Sequence, residues 1–384
     1  DLLILNSLSK NNKIWLSPPH ISDNEKKYVD EAFEQNWIAP VGPHINKFED
    51  ELSKVSERLD VAVLSSGTAA IHLALILLGV KNDDYVICSS FTFSASVNPI
   101  IYLGASPIFI DSEEDTWNMD PSLLEQAIVN QINVNKKPKA IILVHLYGYP
   151  SKIEEIISIS KKYDIPIIED AAEALGSKYK NQPLGTFGDI GIFSFNGNKI
   201  ITTSSGGAIL SKNKKFIKKA KFLATQARED QPHYEHKEIG YNYRMSNVCA
   251  AIGLGQLEVL ETRVVKRRYI HDFYQNKLSK IGSIKFLNEI DGFYSNRWLT
   301  TIVLEENSKI NNEKIRLELQ KNNIESRPLW KPMHLQPVFN TYQALTNGVS
   351  EDLFNRGLCL PSGSNMSDQD LNRVVNIIKT LHES

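Results

Sequence analysis

A single lysine, Lys199, stands in FSFNGNKIITTSSGGAIL, residues 193 to 210, among aromatic, small and β-branched residues. Lysine is among the residues least often buried. Yet the DIGIFSF run before it reads as a core strand, and a second apolar strand, Ala208 to Leu210, follows Gly206 and Gly207. An ammonium in such a place escapes to solvent, pairs with a carboxylate or does chemistry. Burial disfavours its charged form and yields a nucleophilic amine, which condenses with aldehydes to a Schiff base. Three other stretches bear on the choice. SSGTAAIHLAL, 65–75, puts Gly67 and Thr68 where a strand turns into a helix. Unpaired amides, a close-approaching glycine and hydroxyls suit a phosphate there, although a plain N-capped helix explains the pattern as well. It is not a Walker loop, because no Gly-Lys-Ser/Thr follows. IPIIEDAAEALGSKYK, 165–180, ends a buried strand in Glu169 and Asp170. Asp170 either hydrogen-bonds a protonated ring nitrogen or caps the next helix, and small Ala171 and Ala172 leave room for a flat ring. FTFSAS, 91–96, offers Phe93 as a stacking face or as an ordinary core aromatic.

Together, a phosphate-ready helix end, an aromatic platform, a strand-end aspartate and a lysine after a sixth strand are the parts needed to hold pyridoxal phosphate. The phosphate anchors the group, Asp170 keeps its ring nitrogen protonated, and Lys199 bonds its aldehyde carbon.

The elements that position these residues follow from hydrophobic pattern. Tyr28, Ala32 and Phe33 recur at helical spacing after the cap candidates Ser22 and Asp23, and Ile45, Phe48 and Leu52 mark a second helix. From residue 61, short β-rich runs (VAVLSS, DYVICSS, SPIFID, KAIILVHL, IPIIED, GIFSF) alternate with helical stretches at 69–78, 94–103, 120–130 and 152–163. That alternation predicts an α/β fold, a mostly parallel sheet with helices on both faces. The chemistry-bearing residues fall at strand ends, where open α/β sheets bind ligands. A long helical stretch after about residue 245 leads into fewer, shorter strands and helices. The expected organisation is an N-terminal surface arm over 1–20, a large domain over 21–255 and a small α+β domain over 256–384.

Apolar residues make up 42% and charged residues 23% of 384 residues, as in soluble globular proteins. Lys and Arg number 43 against 45 Asp and Glu, which leaves no electrostatic footprint for nucleic acid or an anionic membrane. The basic stretch KNKKFIKKAKF, 212–222, reads as the solvated face of one helix. Three dispersed cysteines, Cys88, Cys249 and Cys359, predict neither a disulfide framework nor a metal site, and suit a reducing, cytoplasmic compartment. No apolar run approaches the roughly 18 residues needed to span a bilayer.

The order SSGTAA, FTFSAS, IEDAAEALG, SFNGNK, GYNYRMSN, RPLWKPMHLQ, over about residues 15 to 375, resembles the pyridoxal-phosphate nucleotide-sugar aminotransferases of the DegT/DnrJ/EryC1/StrS family. WLSPPH, NWIAPVGP, NGNKIITTS, AREDQPHYEH and RPLWKPMH are most similar to its branch that makes UDP-4-amino-4,6-dideoxy-N-acetylglucosamine, in the bacillosamine pathway. The resemblance implies an aspartate-aminotransferase-type (fold type I) large domain with a smaller C-terminal domain, working as a homodimer. It implies Lys199 as the Schiff-base lysine and proton shuttle, and Asp170 on the pyridine nitrogen. Ala172 and Phe93 would sandwich the ring, while Gly67, Thr68 and Ser194 hold the phosphate. Asn242, in GYNYR, would reach that phosphate in a second copy of the chain. Glu173 stands near the cofactor hydroxyl, where many relatives carry His or Gln. For the nucleotide sugar the resemblance points to His334 and Arg228, with Tyr234 and His236 in the same loop as Arg228, and IAP at 38–40 shaping the sugar pocket. The implied reaction moves an amino group from L-glutamate to a UDP-linked 4-keto-6-deoxy sugar in two half-reactions with ping-pong kinetics. Alternatives are a GDP-linked sugar (perosamine type), a dTDP-linked one, and a non-enzymatic binding or regulatory protein on the same fold. The family's dehydratase branch replaces the lysine with histidine, and Lys199 counts against it. A Rossmann oxidoreductase lacks support, since no GxGxxG follows the first strand of the sheet.

Overall fold

The computed structural model describes residues 13–57 and 59–383. Residues 1–12 of the segment read as an arm lie outside them.

Five strands follow one another with helices between: β1 (Asp60–Leu64), β2 (Tyr85–Ser89), β3 (Ser106–Ile110), β4 (Ala140–Val144) and β5 (Ile167–Asp170). Then come β6 (Lys178–Tyr179), β7 (Gln182–Pro183), β8 (Ile190–Ser194) and β9 (Gly207–Ser211). Downstream lie β10 (Ile284–Phe286), β11 (Phe293–Tyr294), β12 (Thr300–Leu304), β13 (Arg327–Pro328), β14 (Ala344–Leu345) and β15 (Gly357–Leu360). The main sheet has the order β1-β9-β8-β5-β4-β2-β3-β14. Its pairings are parallel except those of β9, which runs against β1 and β8.

Alternate residues of one strand face opposite sides, and here both sides are covered. Val61 and Val63 pack with Ile45, Phe48 and Leu52. Ala62 and Leu64 pack with Ala70, Leu73 and Ile217 on the other face. Two buried faces are why these strands read as unbroken apolar runs. The helices before β9 are α1 (Asn24–Glu34), α2 (Pro43–Val55), α3 (Gly67–Leu77), α4 (Asn98–Tyr102), α5 (Pro121–Asn133) and α6 (Ile153–Tyr163). The basic stretch forms α7 (Lys214–Ala224), which buries Ile217, Ala220 and Leu223.

Two helices differ from their sequence pattern. The stretch 94–103 is a 3-10 turn, Ser94–Ser96, followed by α4. Pro99 is tolerated only in a first helical turn, so the α-helix starts at Asn98. The long stretch after 245 divides into α8 (Asn247–Glu258) and α9 (Leu260–Leu278).

A second, antiparallel sheet, β10-β12-β15-β13, packs with Ile270, Tyr274 and Leu278 of α9 around its own core. Ile14 is buried in that core, its amide donating to Asn323 O and its carbonyl accepting from Glu325 N. Residues 13–20 therefore hold a buried apolar anchor. β14, from the C-terminal part of the chain, pairs with β3 and extends the large sheet. An aromatic cluster with Phe91, Tyr147, Tyr149 and Trp298 joins the two layers. Among the described residues no helix is long and apolar enough to cross a membrane.

Candidate active site

Loops leaving the carboxyl ends of β1, β2, β5 and β8 meet at a cavity of about 250 Å³. It brings together Gly67, Thr68, Phe93, Asp170, Ala172, Glu173, Ser194 and Lys199. At its α3 wall, Ser66 caps the helix, its Oγ accepting from Ala69 N at 3.0 Å. The amides of Gly67 and Thr68 lie in the first turn, which has no intrahelical acceptors and carries the positive end of the helix dipole. A Cβ on Gly67 would stand 3.1 Å from Ser194 Cβ, so the glycine lets the turn sit against that residue without displacing it.

The adjoining carboxylates of β5 divide their work because successive strand residues face opposite ways. Glu169 is fully buried and accepts from His145 Nε2 at 2.9 Å, Phe187 N at 2.9 Å and Gly188 N at 3.0 Å, with Gly185 N as a further donor. Ser151 N donates to His145 Nδ1, which puts the ring proton on Nε2. Burial works to raise the Glu169 pKa, but His145 and the loop amides outweigh it and hold the carboxyl below its ordinary range. Glu169 thus pins the 185–188 loop. Asp170 faces the cavity, with Oδ2 accepting from Ser96 Oγ at 2.7 Å and Oδ1 from Ala172 N at 3.1 Å. Thr92 Oγ1 lies 2.8 Å behind Ser96. These bonds fix the carboxylate plane and leave lone pairs for an N–H donor.

Lys199 pairs with a carboxylate, the second of the fates open to it. Its Nζ lies 3.3 Å from Glu173 Oε1, inside the cavity, and 4.3 Å from the centre of the Trp298 ring. Burial by itself is therefore not what sets the amine's environment; a carboxylate partner and an aromatic face share that role. Burial raises the Glu173 pKa, against the opposing pull of Lys199 and the Tyr147 amide. That amide donates to Glu173 Oε2 at 2.7 Å. Tyr147 holds a left-handed backbone (φ 54°), which costs a bulky residue about 1 kcal/mol or more. The Trp298 and Trp330 rings stack with its ring at centroid distances of 6.5 and 6.1 Å, and Trp330 N donates to its hydroxyl.

The remaining residues singled out in the sequence stand elsewhere within one chain. Arg228 lies over the Tyr234 ring at 4.4 Å, and His236 Nδ1 contacts Gln226 O at 2.8 Å. Asn242 Oδ1 accepts from Gln226 Nε2 at 3.2 Å. All four are exposed, Tyr234 by 77%. His334 is half-buried, its Nδ1 2.6 Å from Ser90 Oγ in the loop after β2. Burial lowers its pKa, with Asp111 and Glu351 opposing.

Sequence reading missed Ser96, Tyr147, Trp298 and Trp330. Ser96 sat within the FTFSAS stretch. Trp330 sat within the RPLWKPMHLQ stretch, and Trp298, far downstream of Lys199, gave no local signal. A second cavity of about 650 Å³, walled by Trp15, Pro18, Pro19, Arg327 and Lys331, shares Asn198 and Trp330 with the first. Among the described residues no group of three or more His, Cys, Asp or Glu is placed to hold a metal ion. The helix-end cradle, the oriented acid, the half-exposed face of Phe93 and the cavity lysine fit pyridoxal phosphate.

The comparisons with known proteins agree with that chemistry. Residues 19–379 match the DegT/DnrJ/EryC1/StrS aminotransferase family. The chain is 52% identical to the putative pyridoxal phosphate-dependent aminotransferase EpsN of Bacillus subtilis, over 95% of each chain. It is 38% identical to GDP-perosamine synthase of Escherichia coli O157:H7, over 95% of this chain and 96% of that one. The PLP form of the putative sugar aminotransferase Spr1654 of Streptococcus pneumoniae superposes with a TM-score of 0.89 at 30% identity, covering 97% of this chain and 99% of that one. The chain belongs to the DegT/DnrJ/EryC1/StrS aminotransferase family, and is a sugar aminotransferase that works with pyridoxal phosphate.

Proposed function

We propose that this enzyme transfers an amino group from L-glutamate to the C4 ketone of a UDP-linked 2-acetamido-4-keto-6-deoxy sugar. The observation that carries the reading is the pairing of Lys199 with Glu173 in a cavity that Asp170 also lines. Gly67, Thr68 and Ser194 would hold the cofactor phosphate, Phe93 and Ala172 would flank the ring, and Asp170 would keep the proton on its nitrogen. Bound there, pyridoxal phosphate supplies an aldehyde carbon and a protonated ring that withdraws electrons from the carbon carrying the amine. Lys199 Nζ, held in that cavity, would carry the aldehyde carbon when no substrate is present and would take and return the proton at the reacting carbon. Glu173 keeps that nitrogen oriented between turnovers. The wider cavity shared through Asn198 and Trp330 gives room for the nucleotide, with Arg327 and Lys331 offering cations to its diphosphate.

A homodimer belongs to this reading. The loop carrying Arg228, Tyr234, His236 and Asn242 lies in solvent, with Ile239 85% exposed, and is read as completing the site of a second copy. The compartment is read as cytosol from the unpaired Cys88, Cys249 and Cys359.

A GDP-linked sugar is the second reading, favoured by the 38% identity to GDP-perosamine synthase. One experiment separates the two. The protein and glutamate are incubated with UDP-, GDP- and dTDP-linked 4-keto-6-deoxy sugars, and amine formation is followed by mass. Product from the UDP sugar at the highest kcat/KM supports the first reading. Preference for the GDP sugar replaces it, and no amination of any of the three defeats both.

A further inference from the structure

Arg267 of α9 is 1% exposed, and none of its described hydrogen bonds goes to a carboxylate. Burial, reinforced by the like charge of Arg263, pulls its pKa down to about 9. Its Nε has no hydrogen-bond partner. An unpaired buried charge is costly, and an apolar side chain of similar volume is often neutral or stabilising in its place. Packing alone therefore does not account for this guanidinium.

Its two hydrogen bonds lead to the lysine. NH1 donates to Trp298 O at 2.7 Å, and NH2 donates to Ser17 Oγ at 2.9 Å. Ser17 Oγ in turn donates to Asn198 O at 2.7 Å, and Trp298 Nε1 donates to the same carbonyl at 2.7 Å. The four bonds close a ring around one acceptor, the peptide oxygen between Asn198 and Lys199. Trp298 is also the face 4.3 Å beneath the Lys199 ammonium. Three chain segments, residues 15–19, α9 and the stretch before β12, are thus tied to the backbone that carries the amine.

We propose that Arg267 is a positioning residue for Lys199, clamping Ser17 and Trp298 onto the Asn198 carbonyl so that the amine stays over Trp298 and beside Glu173. The proposal rests on the reading of Lys199 as the lysine that bonds the cofactor. Both hydrogen bonds of the guanidinium are used, and a single point charge spans them less well. A shift of the Asn198 peptide would swing the lysine stem, and small misplacements of a reacting group are expensive in rate.

The test uses the full-length, cofactor-loaded protein with Ser17→Ala, Arg267→Met and Arg267→Lys. Wild type is checked first for a visible band that borohydride abolishes. Its absence overturns the reading of Lys199 and this proposal with it. Given the band, four quantities are measured: kcat, KM for glutamate, thermal midpoint, and the pH midpoint of the band's spectral change. Ser17→Ala is expected to lower kcat about tenfold with KM changed less than about twofold. It should also move the spectral midpoint by about half a unit, a differential effect on the two protonation states. Arg267→Met goes the same way and further, and Arg267→Lys recovers part of the loss. Wild-type kcat and spectral midpoint in Ser17→Ala, with only the thermal midpoint lowered, would overturn the proposal even where Arg267→Met fails to fold.

Discussion

The lysine cavity and the 225–242 loop carry the same kinds of residue in opposite states. In the cavity each acid is held from two sides, Asp170 by Ser96 and the Ala172 amide, Glu173 by Lys199 and the Tyr147 amide. In the loop, Arg228, Tyr234 and His236 touch one another or nearby backbone and otherwise meet solvent. The cavity is finished by the chain's own packing. The loop shows side chains that ordering alone would not stabilise, since holding an exposed cation or ring costs rotamer entropy. Under the proposed homodimer, these loop side chains are the ones a second copy of the chain would order.

Substituting the cavity side breaks the comparison hardest. Lys199→Ala is expected to lower amine transfer by about a thousandfold or more and to abolish trapping by borohydride, read by protein mass. Retained trapping would assign the aldehyde to another amine. Asp170→Asn should reduce kcat about a hundredfold while the cofactor still binds, because a neutral acceptor no longer holds the ring proton. An unchanged kcat would make Asp170 a loop cap only.

The loop side gives smaller effects and a sharper test. Asn242→Ala is expected to weaken cofactor affinity about tenfold, measured by absorbance titration. Mixing it with Lys199→Ala should bring back the wild-type cofactor affinity in part of the sites, since a mixed dimer would have one site with an intact lysine and an intact asparagine from the other copy. No recovery in subunit mixtures shown to exchange would place Asn242 outside the neighbouring site. Arg228→Ala should raise KM for the nucleotide sugar about fivefold and leave the glutamate half-reaction unchanged, by steady-state kinetics.

The smallest expected effect concerns pH. His334 titrates below the ordinary 6.5 in the folded chain, mainly through burial. Below that value the unfolded chain holds more protons. The histidine's contribution to stability is thus complete above about pH 6.5 and fades as pH falls through the depressed value. The thermal midpoint of His334→Gln should fall less steeply than that of wild type between about pH 7 and pH 5. Equal slopes would show that His334 protonates as easily folded as unfolded.

Much of the cavity was legible because its parts sit at the ends of strands with plain apolar patterns. VAVL, YVICS, IIED and IGIFS are buried on both faces, so their boundaries show in the sequence, and the next residue falls into a loop at the sheet's edge. Gly67, Phe93, Asp170 and Lys199 were found that way. The role of Glu169 was not, because nothing local shows that the strand's pleat turns it to the 185–188 loop while Asp170 faces the cavity. Glu173 stood out in the sequence, yet the amide that holds its other oxygen comes from Tyr147, whose left-handed backbone and stacking with two tryptophans no local pattern shows.

By itself the sequence determined the alternation of strands and helices, the placing of chemical groups at strand ends, and the lysine's identity as the reactive amine to test. Those depend on short-range patterns of burial and turn chemistry. The tertiary structure alone decided what surrounds that amine: Glu173 at one side, Trp298 beneath, and a carbonyl clamped through Ser17 and Arg267. These contacts join residues far apart along the chain, and such neighbours are set only when the layers pack.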